Sequence, residues 1–165
     1  MASDNKIRVH FKSNHADPDS FPPTIEGESV FAITKERFDN AIQSYPDLKD
    51  KIEPIFDWDL ENFYESMKTA EVLVCWDFPT ENLAEIAPKL RWIHIIGAGV
   101  EHLCPMDWVP EHVSVVNNRG VHSAKAGEFG LMSVLMLHTH IPEIIQNQQK
   151  KHWESLYSSP ILGKT

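Results

Sequence analysis

Residues 92–103, "WIHIIGAGVEHL", decide the fold that we expect for this chain. The apolar run predicts a buried strand, and Gly97, Ala98 and Gly99 then predict a tight turn at its carboxyl end. A dinucleotide-binding turn needs a third glycine three residues after the second, so that the next helix can pack closely on the strand. His102 occupies that place, and its imidazole would hold such a helix away. We therefore interpret the turn as a different kind of anion-binding loop.

Further apolar runs predict strands before and after this one. The strand candidates are residues 6–11, a short stretch near Ile55, and residues 71–76, 91–96 and 112–118. The run at residues 71–76 is nearly continuous, as is typical of a strand covered on both faces. Residues 30–34 are either a strand or the lead-in to a helix.

Helices are expected between these strands. Thr34 and Thr80 are placed to cap two of them. A third helix is predicted from the helical spacing of Leu60, Phe63, Tyr64 and Met67. Strands that alternate with helices of about ten residues indicate βαβ units and a parallel sheet. The predicted fold class is α/β, a flavodoxin-like doubly wound parallel sheet over residues 1–118.

Three short segments should share one edge of this sheet, because ligands of such folds bind beyond the carboxyl ends of the strands. The segments are residues 76–78, 97–99 and 117–118. Residues 119–165 are different in character. Ser123 is placed to cap a helix whose apolar residues lie nearly all round it, and Pro142 restarts or kinks it. We expect residues 119–165 to be a connecting helix and the entry to a further domain.

Composition excludes several classes of function. The net charge of -9 disfavours a nucleic acid or an anionic membrane surface as partner. The apolar run at residues 129–137 is shorter than the roughly 20 residues of a membrane span. Cys75 and Cys104 form no C-x-x-C motif, which favours a reducing compartment, and residues 1–11 contain no apolar signal region. A cytoplasmic location is the resulting expectation.

Four blocks in order carry a resemblance to a known family. They are "LRWIHIIGAGVEHL", "VVNNRGVHSAKAGEF", Trp153 and "LGKT", within about residues 70–165. Together they resemble the amino-terminal part of the D-isomer-specific 2-hydroxyacid dehydrogenases. The resemblance implies a flavodoxin-like first domain that binds substrate and a second, Rossmann domain that binds the nicotinamide cofactor, with the active site in the cleft between them.

The resemblance also implies roles for individual residues. Backbone N–H groups of Ala98, Gly99 and Val100 would bind the carboxylate of a 2-hydroxy or 2-oxo acid; the alternative is that the glycines only make a turn. Trp76 and Phe78 would line the substrate pocket, although aromatic residues just past a buried strand are more often simple core.

The second block matches the family pattern at Asn117, Gly120 and Glu128 but departs from it at two positions. His122 stands where a second Asn is common, and Gly127 where Ala is usual. His122 would lie near the substrate, with an exposed loop histidine or a neighbour of a helix cap as the alternative.

The resemblance places the family's catalytic Arg, Glu and His, and its G-x-G-x-x-G turn, beyond residue 165. The intact protein would use NAD or NADP, whereas this 165-residue segment is expected to bind neither and to have no dehydrogenase activity alone. We expect a homodimer, formed by self-association or domain swapping of this segment through residues 124–153. The rival hypothesis is a short, non-catalytic flavodoxin-like module that binds a small carboxylate or a protein partner.

Other candidate sites receive little support from the sequence. His138 and His140 point in different directions on a helix, so they make a poor metal pair. His94 is expected to be a buried imidazole with its hydrogen bonds satisfied. The acidic cluster of Asp57, Asp59 and Glu61 could suggest a phosphoacceptor pocket, but no convincing lysine partner is apparent.

Overall fold

A computed structural model describes residues 6–163, which fall into two compact units divided between Arg119 and Gly120. The strands of the first unit are β1 (Ile7–Ser13), β2 (Ile52–Trp58), β3 (Val72–Cys75), β4 (Trp92–Ile95) and β5 (Ser114–Asn117). Its helices are α1 (Ile25–Phe31), α2 (Lys35–Ile42), α3 (Pro46–Lys49), α4 (Phe63–Ser66) and α5 (Leu83–Ile86). Two 3-10 helices follow β4, at Glu101–Leu103 and Met106–Trp108.

All the strand pairings are parallel, and the strand order is β2-β1-β3-β4-β5. β2 therefore lies on one side of β1, and β3, β4 and β5 follow in sequence on its other side. This order is that of a flavodoxin-like, doubly wound sheet. The predicted fold class is confirmed.

The core of this unit lies on one face of the sheet. The register aligns His10 with Leu73, and Leu73 with Ile93, so these side chains share that face. Phe63 and Met67 cover it from the α4 segment, and both are fully buried. Burial of such side chains stabilises the fold by about 1.5–3 kcal/mol each.

The opposite face is covered only in part. Phe38 of α2 packs against Phe11 and Phe56, with ring centroids 5.5 and 5.8 Å apart. Beyond β1 this face is more open, since Val72 is half-buried and Trp92 is 44% exposed. The expectation that β3 is covered on both faces is therefore wrong, because α2 lies over β1 and β2 instead.

The helix caps agree with the sequence in one case and differ in another. Thr34 caps α2, because its Oγ1 accepts a hydrogen bond from the backbone N–H of Arg37. Thr80 caps nothing, and α5 begins after Asn82, whose backbone is left-handed with a φ of 55°. The reason is the burial of Leu83, which sets where the first turn of α5 meets the core.

Two further local predictions need correction. Residues 30 and 31 end α1, so the strand alternative for residues 30–34 is wrong. The predicted helical face at residues 60–67 forms only in part, because α4 is four residues long. Phe63 and Met67 enter the core, while Leu60 and Tyr64 remain exposed.

The second unit contains two helices, α6 (Ser123–His138) and α7 (Ile141–Gln149). Pro142 lies in the first turn of α7, as predicted for a restarted helix. The N-cap of α6 is His122 rather than Ser123, and its side chain makes no cap hydrogen bond. None of the apolar residues of α6 is buried. No helix within residues 6–163 is both long enough and apolar enough to cross a membrane.

A buried histidine is the most unusual polar residue of the core. His10 is fully buried, with Nδ1 2.5 Å from Ser66 Oγ and Nε2 3.4 Å from the Asp57 carboxylate. Asp57 also accepts a hydrogen bond from the backbone N–H of Asn62. Burial, opposed by the Asp57 carboxylate and aided by the Lys12 charge, lowers the pKa of His10 below its usual 6.5.

This lowered pKa predicts a loss of stability in mild acid. The stabilising contribution of neutral His10 is complete above the unfolded-state pKa of 6.5 and is lost as the pH falls towards the lower pKa of the folded state. One such group changes the free energy of unfolding by at most about 1.4 kcal/mol per pH unit. Urea unfolding at pH 7.5 and 5.5 should show a decrease for the native sequence and a smaller decrease for His10→Asn.

His15→Asn is the matched control for this experiment. A hydrogen bond to Asp59 raises the pKa of the exposed His15, so its contribution has the opposite sign and is lost as the pH rises. The variant should therefore lose at least as much stability in acid as the native sequence. An undiminished acid loss in His10→Asn would contradict the assignment to His10.

Candidate functional site

The glycine loop lies at the carboxyl edge of the sheet, where the sequence predicted a shared rim. It follows β4, while Trp76 and Asp77 follow β3 and Asn117 ends β5. Because the three strands are parallel neighbours, these segments meet at one edge. The predicted rim is present.

Two asparagines hold the carbonyl groups of the loop. The Nδ2 of Asn117 donates to the Ala98 carbonyl at 2.8 Å, and that of Asn118 to the Ile96 carbonyl at 2.7 Å. The backbone N–H of Asn118 also donates to the Gly97 carbonyl at 2.9 Å. His94 is half-buried rather than fully buried, and its Nε2 lies 3.0 Å from Asn118 Oδ1. The loop is therefore fixed through its carbonyl groups.

The amides of the same loop have no partner. Among residues 6–163, no hydrogen bond uses the backbone N–H of Ala98, Gly99 or Val100, although all three residues are partly buried. Successive N–H groups without an acceptor form a small positive concavity that suits an anion. The nearest anionic group is that of Glu101, since a Cβ built on Gly99 would lie 2.3 Å from its Oε2.

The loop does not fit the pyrophosphate of a nicotinamide dinucleotide. That ligand needs an α-helix starting directly after the glycines, with close packing of helix on strand. Gly99 is followed instead by the 3-10 helix Glu101–Leu103, and the His102 ring stacks on Trp76 with centroids 4.1 Å apart. The described residues therefore offer this cofactor no binding turn.

The two aromatic residues after β3 have different environments. Trp76 is half-buried between the rings of Phe21 and His102, whose centroids lie 4.6 and 4.1 Å from its own. Phe78 is 8% exposed and belongs to the core. Both also line a cavity of about 670 Å³. Their role in binding substrate stays a prediction.

A charged cluster at the ends of β1 and β3 escaped the sequence analysis. Lys12 is 4% exposed, and its Nζ donates to Asp77 at 2.8 Å and to Asn14 at 2.6 Å. Asn14 Nδ2 donates to the same oxygen of Asp77 at 2.8 Å. The available signal was the alternation of the first strand, which the sequence predicted only as far as residue 11: Lys12 follows two residues after His10 and points to the same face.

The remaining candidates have local partners or lie in the other unit. His122 begins α6, so its proposed contact with substrate stays a prediction. Asp57 bonds Asn62 and lies beside His10, while Asp59 bonds His15. Within residues 6–163, no group of three or more His, Cys, Asp or Glu side chains is arranged to hold a metal ion.

Solved structures with this architecture decide what the fold is. Over 93% of this chain, the structure matches a D-isomer specific 2-hydroxyacid dehydrogenase family protein of Aeromonas salmonicida subsp. salmonicida A449, with a TM-score of 0.59 and 16% identity. The chain has the fold of a 2-hydroxyacid dehydrogenase domain. A probable 2-hydroxyacid dehydrogenase of Rhizobium etli CFN 42, solved with NADP, HEPES and L(+)-tartaric acid, matches over 93% with a TM-score of 0.58 and 20% identity.

A third match is the D-isomer specific 2-hydroxyacid dehydrogenase of Xanthobacter autotrophicus Py2 in complex with NADPH and MES. It covers 92% of this chain, with a TM-score of 0.57 and 18% identity. The chain spans only 42 to 43% of the length of these three structures. No protein-family model and no curated protein matches the chain in sequence. The recognised resemblance is thus confirmed through the fold.

Proposed function

We propose that residues 1–118 are the substrate-binding domain of an NAD(P)-dependent oxidoreductase that interconverts D-2-hydroxy acids and 2-oxo acids. The observation that carries the proposal is the row of unpaired amides at Ala98, Gly99 and Val100, on a loop whose carbonyl groups are bound elsewhere. A fold shared with 2-hydroxyacid dehydrogenases supports it. The Rhizobium etli structure contains tartaric acid, which is itself a 2-hydroxy acid.

In this proposal the domain binds the substrate and orients it. The substrate carboxylate accepts hydrogen bonds from the loop amides, which fixes the adjacent carbon that carries the oxo or hydroxyl group. Glu101 must turn away first, because its carboxylate lies beside Gly99. Its side chain is exposed and bonds no other described residue, so rotation costs little.

Hydride transfer itself requires groups that we assign to the rest of the intact protein. A nicotinamide must lie over the reacting carbon, and an acid or base must reach the substrate oxygen. By the family resemblance, we assign the Arg, Glu and His of the chemistry and the cofactor-binding turn to a part of the intact protein outside residues 1–165. We therefore propose that the intact protein uses NAD or NADP and that this 165-residue segment alone binds neither and is inactive. We propose that the side chain of the substrate contacts Trp76 and Phe78 and that its reacting end lies near His122.

A nuclear magnetic resonance titration tests the binding proposal. Pyruvate added to the ¹⁵N-labelled chain should shift the amide resonances of Ala98, Gly99 and Val100. Pyruvamide has a similar shape but no charge, and it should shift them much less. Equal effects of the two compounds, or pyruvate-induced shifts only elsewhere, would overturn the proposal.

Replacement of Asn117 by alanine is expected to weaken pyruvate binding roughly fivefold, because a lost hydrogen bond of about 1 kcal/mol frees the Ala98 carbonyl and lets the amides reorient. The dissociation constant from the same titration measures this effect. Ser114→Ala, on the exposed side of the same strand, is the control and should bind pyruvate like the native chain. Unchanged affinity in Asn117→Ala would show that the loop does not depend on this bond.

A cytoplasmic homodimer assembled through residues 124–153 completes the proposal. The apolar side chains of α6 support it, because Phe129 and Leu137 are 64% and 69% exposed. Light scattering of the 165-residue chain at high micromolar concentration should therefore give a mass near twice 18.9 kDa. Phe129→Glu should shift this mass towards the monomer, whereas Lys125→Glu on the same helix should not. A monomeric native chain would contradict the proposal.

A further inference from the structure

A cavity of about 670 Å³ lies beside the glycine loop; its lining excludes the loop amides but includes Trp76 and Phe78, the two proposed contacts of the substrate side chain. It is entered between the segment that follows β3 and the two 3-10 helices that follow β4. Trp76 and His102 form the wall nearest the loop, and Phe78 and Trp108 form the far wall. All of these residues belong to the first unit.

Aromatic rings held in fixed positions make up these walls. Trp76 is stacked between Phe21 and His102. Trp108 meets Phe78 edge-on at 5.3 Å, and its Nε1 donates to the Leu103 carbonyl at 2.8 Å. Because these contacts orient the rings before any ligand arrives, a ligand pays little free energy to order them.

The charged groups of the cavity are all acidic. Asp77, Glu81 and Asp107 line it, and the lining contains no lysine or arginine. One oxygen of Asp77 accepts from Lys12 and Asn14, while the other accepts no hydrogen bond from the described residues. His102 donates through Nε2 to the Trp76 carbonyl at 2.8 Å, which leaves its Nδ1 without a bound proton in the neutral ring. The cavity therefore offers acceptors and negative charge beside walls of aromatic carbon.

We propose that this cavity binds an organic ammonium cation. The carboxylates attract the positive charge, and the methyl groups of an alkylammonium gain from burial against the aromatic carbon of the walls. An inorganic cation keeps its hydration shell and gains nothing from those walls. This inference uses neither the loop amides nor a carboxylate ligand, but the site shares Trp76 and Phe78 with the contacts proposed for the substrate side chain.

Choline and its neutral isostere 3,3-dimethyl-1-butanol provide the test on the 165-residue chain. Isothermal titration at pH 7.5 should show choline binding roughly tenfold more tightly than the alcohol. Equal affinities would reduce the cavity to an apolar cleft, and a response to MgCl₂ matching that to choline would mean simple charge screening. Either result overturns the proposal.

Cys104 reports where the ligand binds. It is exposed and lines the cavity, whereas Cys75 is buried and its pKa is raised by that burial, so it should not react in the folded chain. Saturating choline should slow carbamidomethylation of Cys104 by iodoacetamide several-fold, as measured by mass spectrometry. An unchanged rate would place the ligand elsewhere and contradict the proposal.

The exposed carboxylates allow a charge test that leaves the core intact. Glu81→Gln combined with Asp107→Asn should weaken choline binding several-fold, because two of the acidic side chains of the cavity lose their charge. Glu111→Gln is the matched control, since Glu111 is exposed but outside the lining. Native affinity in the double variant would overturn the proposal. Circular dichroism confirms that each variant is folded.

Discussion

Replacement of Asp77 by asparagine is expected to lower the free energy of unfolding by about 2–3 kcal/mol, because it leaves the Lys12 ammonium buried without a counter-charge. Removal of one partner from a fully buried pair costs about 3–5 kcal/mol. The Asp77 side chain is 38% exposed, so water moderates the loss. Asn14 still accepts one hydrogen bond from Lys12, but a neutral amide does not balance the charge.

Replacement of Lys12 should lower the free energy of unfolding much less than replacement of Asp77. Lys12→Met leaves an apolar side chain of similar length in the buried position, and the half-exposed Asp77 carboxylate can be hydrated. We expect a loss of about 1 kcal/mol or less, and the double variant Lys12→Met/Asp77→Asn should recover most of the stability lost by Asp77→Asn. Urea unfolding of the four proteins measures this double-mutant cycle.

The asymmetry between the two single variants is the decisive result. Equal losses of unfolding free energy in Asp77→Asn and Lys12→Met would mean that the Lys12 ammonium reaches water when its partner is removed. No recovery in the double variant would mean that Asp77 acts mainly through Asn14, whose Nδ2 also donates to the Phe21 carbonyl.

The second large effect is expected at Gly97. A Cβ built there lies 2.1 Å from Cζ3 of Trp76, well inside the contact distance of two carbons. Trp76 cannot move aside freely, because the rings of Phe21 and His102 enclose it. Gly97→Ala should therefore lower the free energy of unfolding by about 1–3 kcal/mol, which is typical of overpacking.

Gly99→Ala is the matched control, two residues along the same loop. Its Cβ meets only the carboxylate end of the exposed Glu101 side chain, which can rotate away. We expect a change within about 0.5 kcal/mol by urea unfolding. A smaller loss in Gly97→Ala than in Gly99→Ala would contradict the packing of Trp76 against the loop.

Much of the fold could be predicted because its strands are coded locally. Apolar runs and helical spacing depend on neighbouring residues, so residues 71–76 and 91–96 indicated β3 and β4, and Thr34 indicated the start of α2. The first and last residues of the helices were harder to predict. Thr80 has the chemistry of a cap, but the burial of Leu83 determines where α5 begins.

The candidate site could be located but not completed from the sequence. The loop of Ala98 and Gly99 was recognised from its glycines, and its position at the carboxyl edge followed from the parallel sheet. The bond from Asn117 to the Ala98 carbonyl joins residues 19 positions apart, and no local pattern records it. The pairing of Lys12 with Asp77 spans 65 positions.

The sequence by itself determined the order of the five strands, the acidic charge and the glycine loop, since each follows from residues close together in the chain. Only the tertiary structure decided which side chains meet. It placed Lys12 against Asp77, closed Trp76 over Gly97 and joined three carboxylates and five rings into one cavity. These contacts depend on strand register and on the path of distant segments, because burial and hydrogen bonding are satisfied over the whole unit rather than residue by residue.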